Sequence, residues 1–201
     1  MTASDRPPTR DADAGPAACR NTLRRDLIAR RMALPSDTHA ALSAAIRQRL
    51  DGHFPALAQS VAAFCWPVQN EPDLLPLVGE LVARGGRVAL PVVVRPGEPL
   101  AFREWWPGQP LAPDRYDIPT PTDGDFVTPQ VLLLPVNAFD ADGYRIGYGG
   151  GFFDRTLAAL DPVPLAIGVG FDFQEVATTH PQPHDRPLDA IVTESRILRR
   201  R

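Results

Sequence analysis

Two arginines, four glycines and an aspartate crowd into one run, Arg145-Ile146-Gly147-Tyr148-Gly149-Gly150-Gly151-Phe152-Phe153-Asp154-Arg155. These residue types suit phosphate. The glycines leave main-chain N–H groups open to an anion with no Cβ in the way. Arg145 and Arg155 add fixed positive charge, and Asp154 is a hard oxygen ligand of the kind magnesium takes. Tyr148, Phe152 and Phe153 offer faces on which flat rings can stack. Two common phosphate motifs are excluded. A Walker A loop needs lysine, and all 21 cationic side chains here are arginine. The dinucleotide fingerprint needs glycine where this chain has Phe152. Without lysine, Schiff-base chemistry is excluded as well.

The elements that must hold this run can be read on either side of it. Val131–Leu134 is an apolar strand stopped by Pro135, and a polar turn Asp140-Ala141-Asp142-Gly143 follows. A helical pattern then runs from Phe152 to Leu160, so a helix N-terminus meets the glycines, as an anion site requires. Upstream, Leu23, Leu27, Ile28 and Met32 recur at helical spacing. Arg20, Arg24, Arg25, Arg30 and Arg31 then read as a solvated basic face. A second helix, capped by Ser36 or Asp37, carries Leu42, Ile46 and Leu50.

Strands are expected at 60–66, 87–94, 100–106, 165–171 and 190–193, and a helix lies over 74–84 with Gly85 as C-cap. Glu71, just before that helix, reads as favourable charge at a helix start. Residues 107–130 read as a long surface connection, and Arg199–Arg201 as a frayed end. Alternating strands and helices predict one α/β domain at 19–198, a largely parallel twisted sheet flanked by helices in Rossmann-like layering. The ligand crevice of such a fold lies beyond the carboxyl ends of the strands.

Residues 1–18, rich in Pro, Asp and Ala, read as a disordered tail without the apolar core of a signal peptide. Cys19 and Cys65 show no CxxC spacing, which argues against a zinc site and for a reducing cytoplasm. A net charge of −3 gives no basic field for nucleic acid, and no apolar run is long enough for a membrane span. His180 and His184 are separated by prolines that prevent a shared helix, so both read as surface loop residues. Asp185 and Asp189 read as loop acids, and Trp105 and Trp106 as packing residues.

The run LLLPVNAFDADGYRIGYGGGFFDR closely resembles the signature of the 5-formyltetrahydrofolate cyclo-ligase family. Supporting segments stand in family order: the basic helix with Leu23-Arg24, WPVQNEPD from Trp66, FDFQ from Phe171 and HDRPLDAIVTE from His184. The resemblance spans about residues 20–194. It implies an ATP- and Mg2+-dependent ring closure of 5-formyltetrahydrofolate to 5,10-methenyltetrahydrofolate by a cytoplasmic monomer with no macromolecular partner. In that reaction the formyl oxygen is phosphorylated and the substrate's own amine attacks, so the protein supplies positioning and charge rather than a nucleophile.

Carried over residue by residue, the resemblance gives ATP to Arg20, Arg24, Arg145, Gly147, Tyr148, Gly149, Gly150, Gly151, Phe152 and Phe153. It gives magnesium to Asp154 and Asp189, and the reduced folate to Trp66, Glu71, Tyr148 and Phe152, with Arg145 and Asp154 catalytic. Three positions depart from the family pattern. Arg20 stands for its lysine, Phe152-Phe153 for Tyr-Tyr, and Tyr148 and Gly150 occupy loop positions where some members carry a basic residue. Two other readings stay open: a folate- or nucleotide-binding protein without turnover, and a phosphoryl-transfer enzyme for another formylated or carboxylated substrate.

Overall fold

The computed structural model describes residues 15–200. The chain begins with α1 (Pro16–Met32), α2 (Ser36–His53), a short α3 (Ala56–Gln59), β1 (Val61–Ala63) and α4 (Leu75–Ala83). Strands β2 (Arg87–Val92), β3 (Ala101–Glu104), β4 (Leu111–Pro113), β5 (Pro119–Pro121), β6 (Val131–Pro135), β7 (Ala138–Phe139) and β8 (Arg145–Ile146) follow. Helix α5 (Phe152–Ala159) then leads to β9 (Leu165–Val169), a 3-10 turn at Asp172–Gln174, β10 (Ala190–Val192) and β11 (Ile197–Arg199).

Seven strands form the central sheet in the order β11-β10-β9-β6-β1-β2-β3. The five inner strands pair in parallel, and β3 and β11 close the two edges antiparallel. Inner strands are apolar on both faces because helices cover both. The pleat of β6 sends Val131 and Leu133 to one core cluster, with Ile46 and Leu50 of α2 and Leu77 and Leu81 of α4. Leu132 and Leu134 go to the other cluster, with Leu157 of α5. The α/β class and the largely parallel sheet follow the sequence reading.

The first strand in the chain, β1, lies inside the sheet rather than at its edge. From it the chain builds outward to β2 and β3, then returns to build β6, β9 and β10 on the other side. The segments leaving the carboxyl ends of β1 and β6 therefore diverge, which opens a crevice between them.

Several boundaries differ from expectation. Helix α1 starts at Pro16, so the expected tail overlaps its first turn; residues 1–14 lie outside the described residues. Proline suits that position because the first helical N–H has no intrahelical partner. Pro35, not Ser36 or Asp37, is the N-cap of α2. The stretch at 107–130 contains the β4–β5 hairpin, and β11 pairs with β10 where fraying was expected.

The polar turn joins β7 to β8 and is braced by Asp140. Its Oδ1 accepts the N–H groups of Asp142 and Tyr144, and its Oδ2 accepts the N–H and the hydroxyl of Thr179. Where β9 leaves the sheet, Gly170 is pressed on the neighbouring connection. A Cβ there would lie 2.5 Å from Val136 Cγ2. Val136 is β-branched and buried, so it has little freedom to yield. Gly170→Ala should therefore destabilise the fold by about 1–3 kcal/mol. Urea unfolding measures it, and Gly52→Ala, where a Cβ meets nothing within 4 Å, is the control.

Candidate active site

Beyond β1 the chain turns sharply through residues 66–71. Gln69 and Asn70 both adopt left-handed backbone, φ 48° and 61°, a conformation that side-chain-bearing residues hold only when their surroundings impose it. Arg31 imposes it. Its Nε donates to Gln69 O at 2.8 Å, and Asn70 Nδ2 donates to Arg31 O at 3.1 Å. The turn folds Glu71 back into the crevice, where Val68 N donates to Oε2 at 3.0 Å. Glu71 is only 3% exposed, four residues ahead of α4, so it does not serve as helix-start charge. Its carboxylate edges a small depression walled by Cys65, Pro67, Pro72, Leu133, Pro135 and Val169. Burial pushes the Glu71 pKa up, opposed by the Tyr148 hydroxyl, then Arg31 and the Val68 amide.

Helix α1 lies along the rim, and its arginines face two ways. Arg25 pairs with Asp26 in solvent, as a basic outer face requires. Arg20, Arg24 and Arg31 are four and seven residues apart, which aligns them on the inner face. Arg31 is fully buried while Met32 is 55% exposed, the reverse of the sequence reading. The reason is polar satisfaction: Arg31 Nη1 donates to Asn137 Oδ1 at 2.9 Å, and Nη2 to the Tyr148 hydroxyl at 2.8 Å. Tyr148 in turn donates to Glu71 Oε1 at 2.6 Å, with Arg31 Nη2 itself 3.8 Å from that oxygen. Sequence reasoning missed Arg31 and Asn137. The spacing of Arg20, Arg24 and Arg31 was the available signal for Arg31; for Asn137 it was a place inside the run 132–155 that carries the family resemblance.

Arg24 holds the glycine loop from the same helix face, Nε donating to Gly147 O at 2.6 Å. Burial lowers its pKa, and nearby Arg20 lowers it further. Gly151 is the N-cap of α5 with φ 63°, and Gly149 has φ 93°, so both need glycine's freedom. Arg155 reaches back to Gly150 O at 2.7 Å and lies over the Phe152 ring. Phe152 also meets the edge of Tyr116 at 5.9 Å, from the turn of the β4–β5 hairpin. Phe152 and Phe153, both read as ring-stacking residues, are partly buried against the second core cluster. Trp66 packs on the first cluster and meets Trp105 edge to face at 5.9 Å.

Arg145 is buried at the start of the loop and forks between Arg186 O at 2.9 Å and Asp154 Oδ1 at 3.1 Å. Burial lowers its pKa, and the Asp154 charge opposes that shift. Asp154 Oδ1 also accepts the Arg186 N–H at 3.0 Å. Asp185, read as a loop acid, is buried, accepts from Arg20 at 2.5 Å and acts electrostatically on Arg145. Asp189 is not brought to this group. Its Oδ2 accepts the Ala166 N–H at 2.8 Å, which ties together the amino-terminal ends of β9 and β10. The crevice lies at the opposite ends of those strands.

Among the described residues no three His, Cys, Asp or Glu side chains gather as a metal cage. Magnesium is commonly held by one or two carboxylates together with substrate phosphates. Asp154 beside a glycine loop fits that arrangement. One rim thus carries an anion-ready loop, buried arginines and a buried carboxylate over an apolar floor.

The 5-formyltetrahydrofolate cyclo-ligase family model matches residues 16–194, nearly all of the described chain. The chain belongs to the 5-formyltetrahydrofolate cyclo-ligase family. It is 32% identical over 176 residues to the cyclo-ligase of Escherichia coli (strain K12), covering 84% of this chain and 96% of that one. With the cyclo-ligase of Mycolicibacterium smegmatis it shares 29% identity over 188 residues, 88% and 94% of the two chains. The NMR structure of Aquifex aeolicus 5,10-methenyltetrahydrofolate synthetase superposes with a TM-score of 0.79 at 28% identity, covering 90% of this chain and 93% of that one. The cyclo-ligase match includes α1, so the inner arginines lie within the family's own domain.

Arg31 and Arg25 give a direct contrast on one helix. Removing one partner of a buried charged cluster leaves the other uncompensated, so Arg31→Met should cost about 3–5 kcal/mol of stability. Arg25→Ala should stay within about 0.5 kcal/mol of the parent. Chemical denaturation of both variants checks the pair.

Proposed function

We propose that this chain converts 5-formyltetrahydrofolate to 5,10-methenyltetrahydrofolate, using ATP and magnesium and releasing ADP and phosphate. The observation that carries the reading is the joining of the glycine loop and the buried Glu71 on one rim, through the hydroxyl of Tyr148. A phosphate-ready loop and a pterin-ready acid in one crevice suit a reaction that phosphorylates a folate. The proposal extends to a cytoplasmic monomer acting on a small molecule without nucleic-acid or membrane partners. The net charge of −3 supports the exclusion of nucleic acid. No helix among the described residues is long and apolar enough to cross a membrane.

The reaction needs little covalent help from the protein. The formyl oxygen attacks the γ-phosphorus and ADP departs. The amine at position 10 then attacks the activated carbon, and loss of phosphate and the amine proton closes the ring. Glu71 accepts the pterin's amino and ring N–H groups, which orients the formyl group. The loop amides of 147–151, Arg24 and Arg145 hold the phosphates in line, where positioning and electrostatics supply most of the acceleration. Asp154 is the residue that would hold magnesium, which when bound would supply charge neutralisation to the phosphates. Asp185 is the second acid we assign to that end of the site, in place of Asp189. Phe152 and Tyr116 give the nucleotide end an aromatic wall.

Incubation with 5-formyltetrahydrofolate and Mg-ATP should build the methenyl absorbance with one ADP per product; ATP and folate recovered unchanged would overturn the proposal. Asp154→Asn should slow turnover about 10³-fold with the fold intact. Glu71→Gln should weaken folate binding by about 1.5–3 kcal/mol and leave ATP binding unchanged. A pH series adds a signed check. Because the Glu71 pKa is raised, its carboxylate protonates above the ordinary value of 4.5 as pH falls. Folate affinity should therefore drop in mild acid for the parent chain, and that component should vanish in Glu71→Gln.

A further inference from the structure

The Tyr148 hydroxyl stands between two elements that the proposed function uses separately. It accepts from Arg31 Nη2 at 2.8 Å and donates to Glu71 Oε1 at 2.6 Å. Its backbone belongs to the glycine loop, two residues before Gly150, and the residue as a whole is 46% exposed. Behind it the anchor is rigid. Arg31 is fully buried, and its Nε and Nη1 donate to Gln69 O and Asn137 Oδ1. Asn137 is 1% exposed, and its backbone carbonyl accepts from Gln174 Nε2. A guanidinium only donates, so Arg31 fixes the Asn137 amide with Oδ1 inward, and the buried Nδ2 has no hydrogen-bond partner among the described residues. The remaining member of this chain of bonds, Tyr148, is carried by a loop rich in glycine.

We propose that Tyr148 is a positioning residue that couples the two ligands: it aims Glu71 at the folate only while the glycine loop is held in its phosphate-binding place. This rests on the reading that Glu71 takes the pterin and the loop takes the ATP phosphates. The physical argument is one of shared ordering. Residues 147–151 include four glycines, which lose more backbone freedom on ordering than any other residue. Arg24 on Gly147 O and Arg31 on the Tyr148 hydroxyl tether the loop at only two points ahead of Gly149. An anion bound by the loop amides fixes the backbone from the other side, and Tyr148 is then fixed on Glu71. Folate meeting an already fixed acid loses less freedom, and the converse must hold by the same factor. A carboxylate has about four acceptor sites, so Tyr148 and Val68 N–H can stay in place while the pterin donors take the rest.

The test is a pair of titrations on the full chain. 5-Formyltetrahydrofolate binding is measured by calorimetry with and without a non-hydrolysable ATP analogue and magnesium, and analogue binding with and without the folate. In the parent, each ligand should tighten the other by an equal factor, about 5-fold or more. In Tyr148→Phe both ligands should still bind, with that factor reduced to about 1. Arg31→Lys, which keeps one charge but cannot reach three acceptors, should reduce it as well. An undiminished factor in folded Tyr148→Phe, or a factor of 1 in the parent, would overturn the coupling. Failure of the parent to bind either ligand would instead overturn the reading of the site on which it rests. Melting temperature separates these outcomes from misfolding, and a loss of both affinities with the factor unchanged would mark a merely structural tyrosine.

Discussion

The structure turns on one buried cation. Arg31 carries a full charge into a place with no solvent access, where an unpaired ion costs several kcal/mol. Each of its three nitrogens donates to an acceptor, and the acceptors come from three separate parts of the chain: the turn after β1, the segment after β6 and the glycine loop. Among the described residues no other side chain is hydrogen-bonded to all three. Satisfying one guanidinium thus registers the pieces of the site against each other, and the left-handed turn at Gln69 and Asn70 is the strain accepted in return. Arginine suits this role because its planar fork offers fixed donor directions that a lysine ammonium lacks.

Sheet topology decides where such a cluster can form. The first strand lies inside the sheet, so the segments leaving β1 and β6 part company at their carboxyl ends. That divergence leaves a gap, and α1 lies along it with Arg20, Arg24 and Arg31 facing inward. A helix facing an ordinary core would bury Leu23, Leu27 and Ile28 fully; here all three are only half-buried, while Arg31 is fully so. The helix belongs to the site as much as to the fold.

The parts of this arrangement that were legible in the sequence are those set by local pattern. The apolar run of β6, the glycines before α5 and the strands at 87–92 and 165–169 follow from periodicity and turn chemistry, which act over a few residues. The glycine loop and Asp154 were legible because their residue types suit phosphate chemistry wherever they fold. Arg31 was misread because periodicity sorts apolar from polar, and a buried arginine looks like a solvated one until its partners, 38 to 117 residues away, are known. The β4–β5 hairpin escaped notice for a different reason. Its strands are three residues each and rich in proline, too short for any alternation to register. Tyr116 reaches Phe152 only because that hairpin folds back on the loop.

Asp185 and Asp189 show how finely a site depends on backbone course. They are four residues apart and chemically identical, and both read as loop acids. Between them the chain passes from the rim, where Asp185 meets Arg20, to the amino-terminal edge of the sheet, where Asp189 caps the start of β9. Leu188 N–H on Gly143 O marks the crossing, beside a glycine whose missing side chain makes room for it; a Cβ on Gly143 would lie 2.9 Å from Leu188 O. A chain can cover at most about 3.3–3.6 Å per residue, so four residues can carry one acid from the crevice and deliver the other to the far ends of parallel strands. The electrostatics follow from that path. Asp185 lies close enough to act on the buried Arg145, whereas Asp189 spends its charge on a backbone amide.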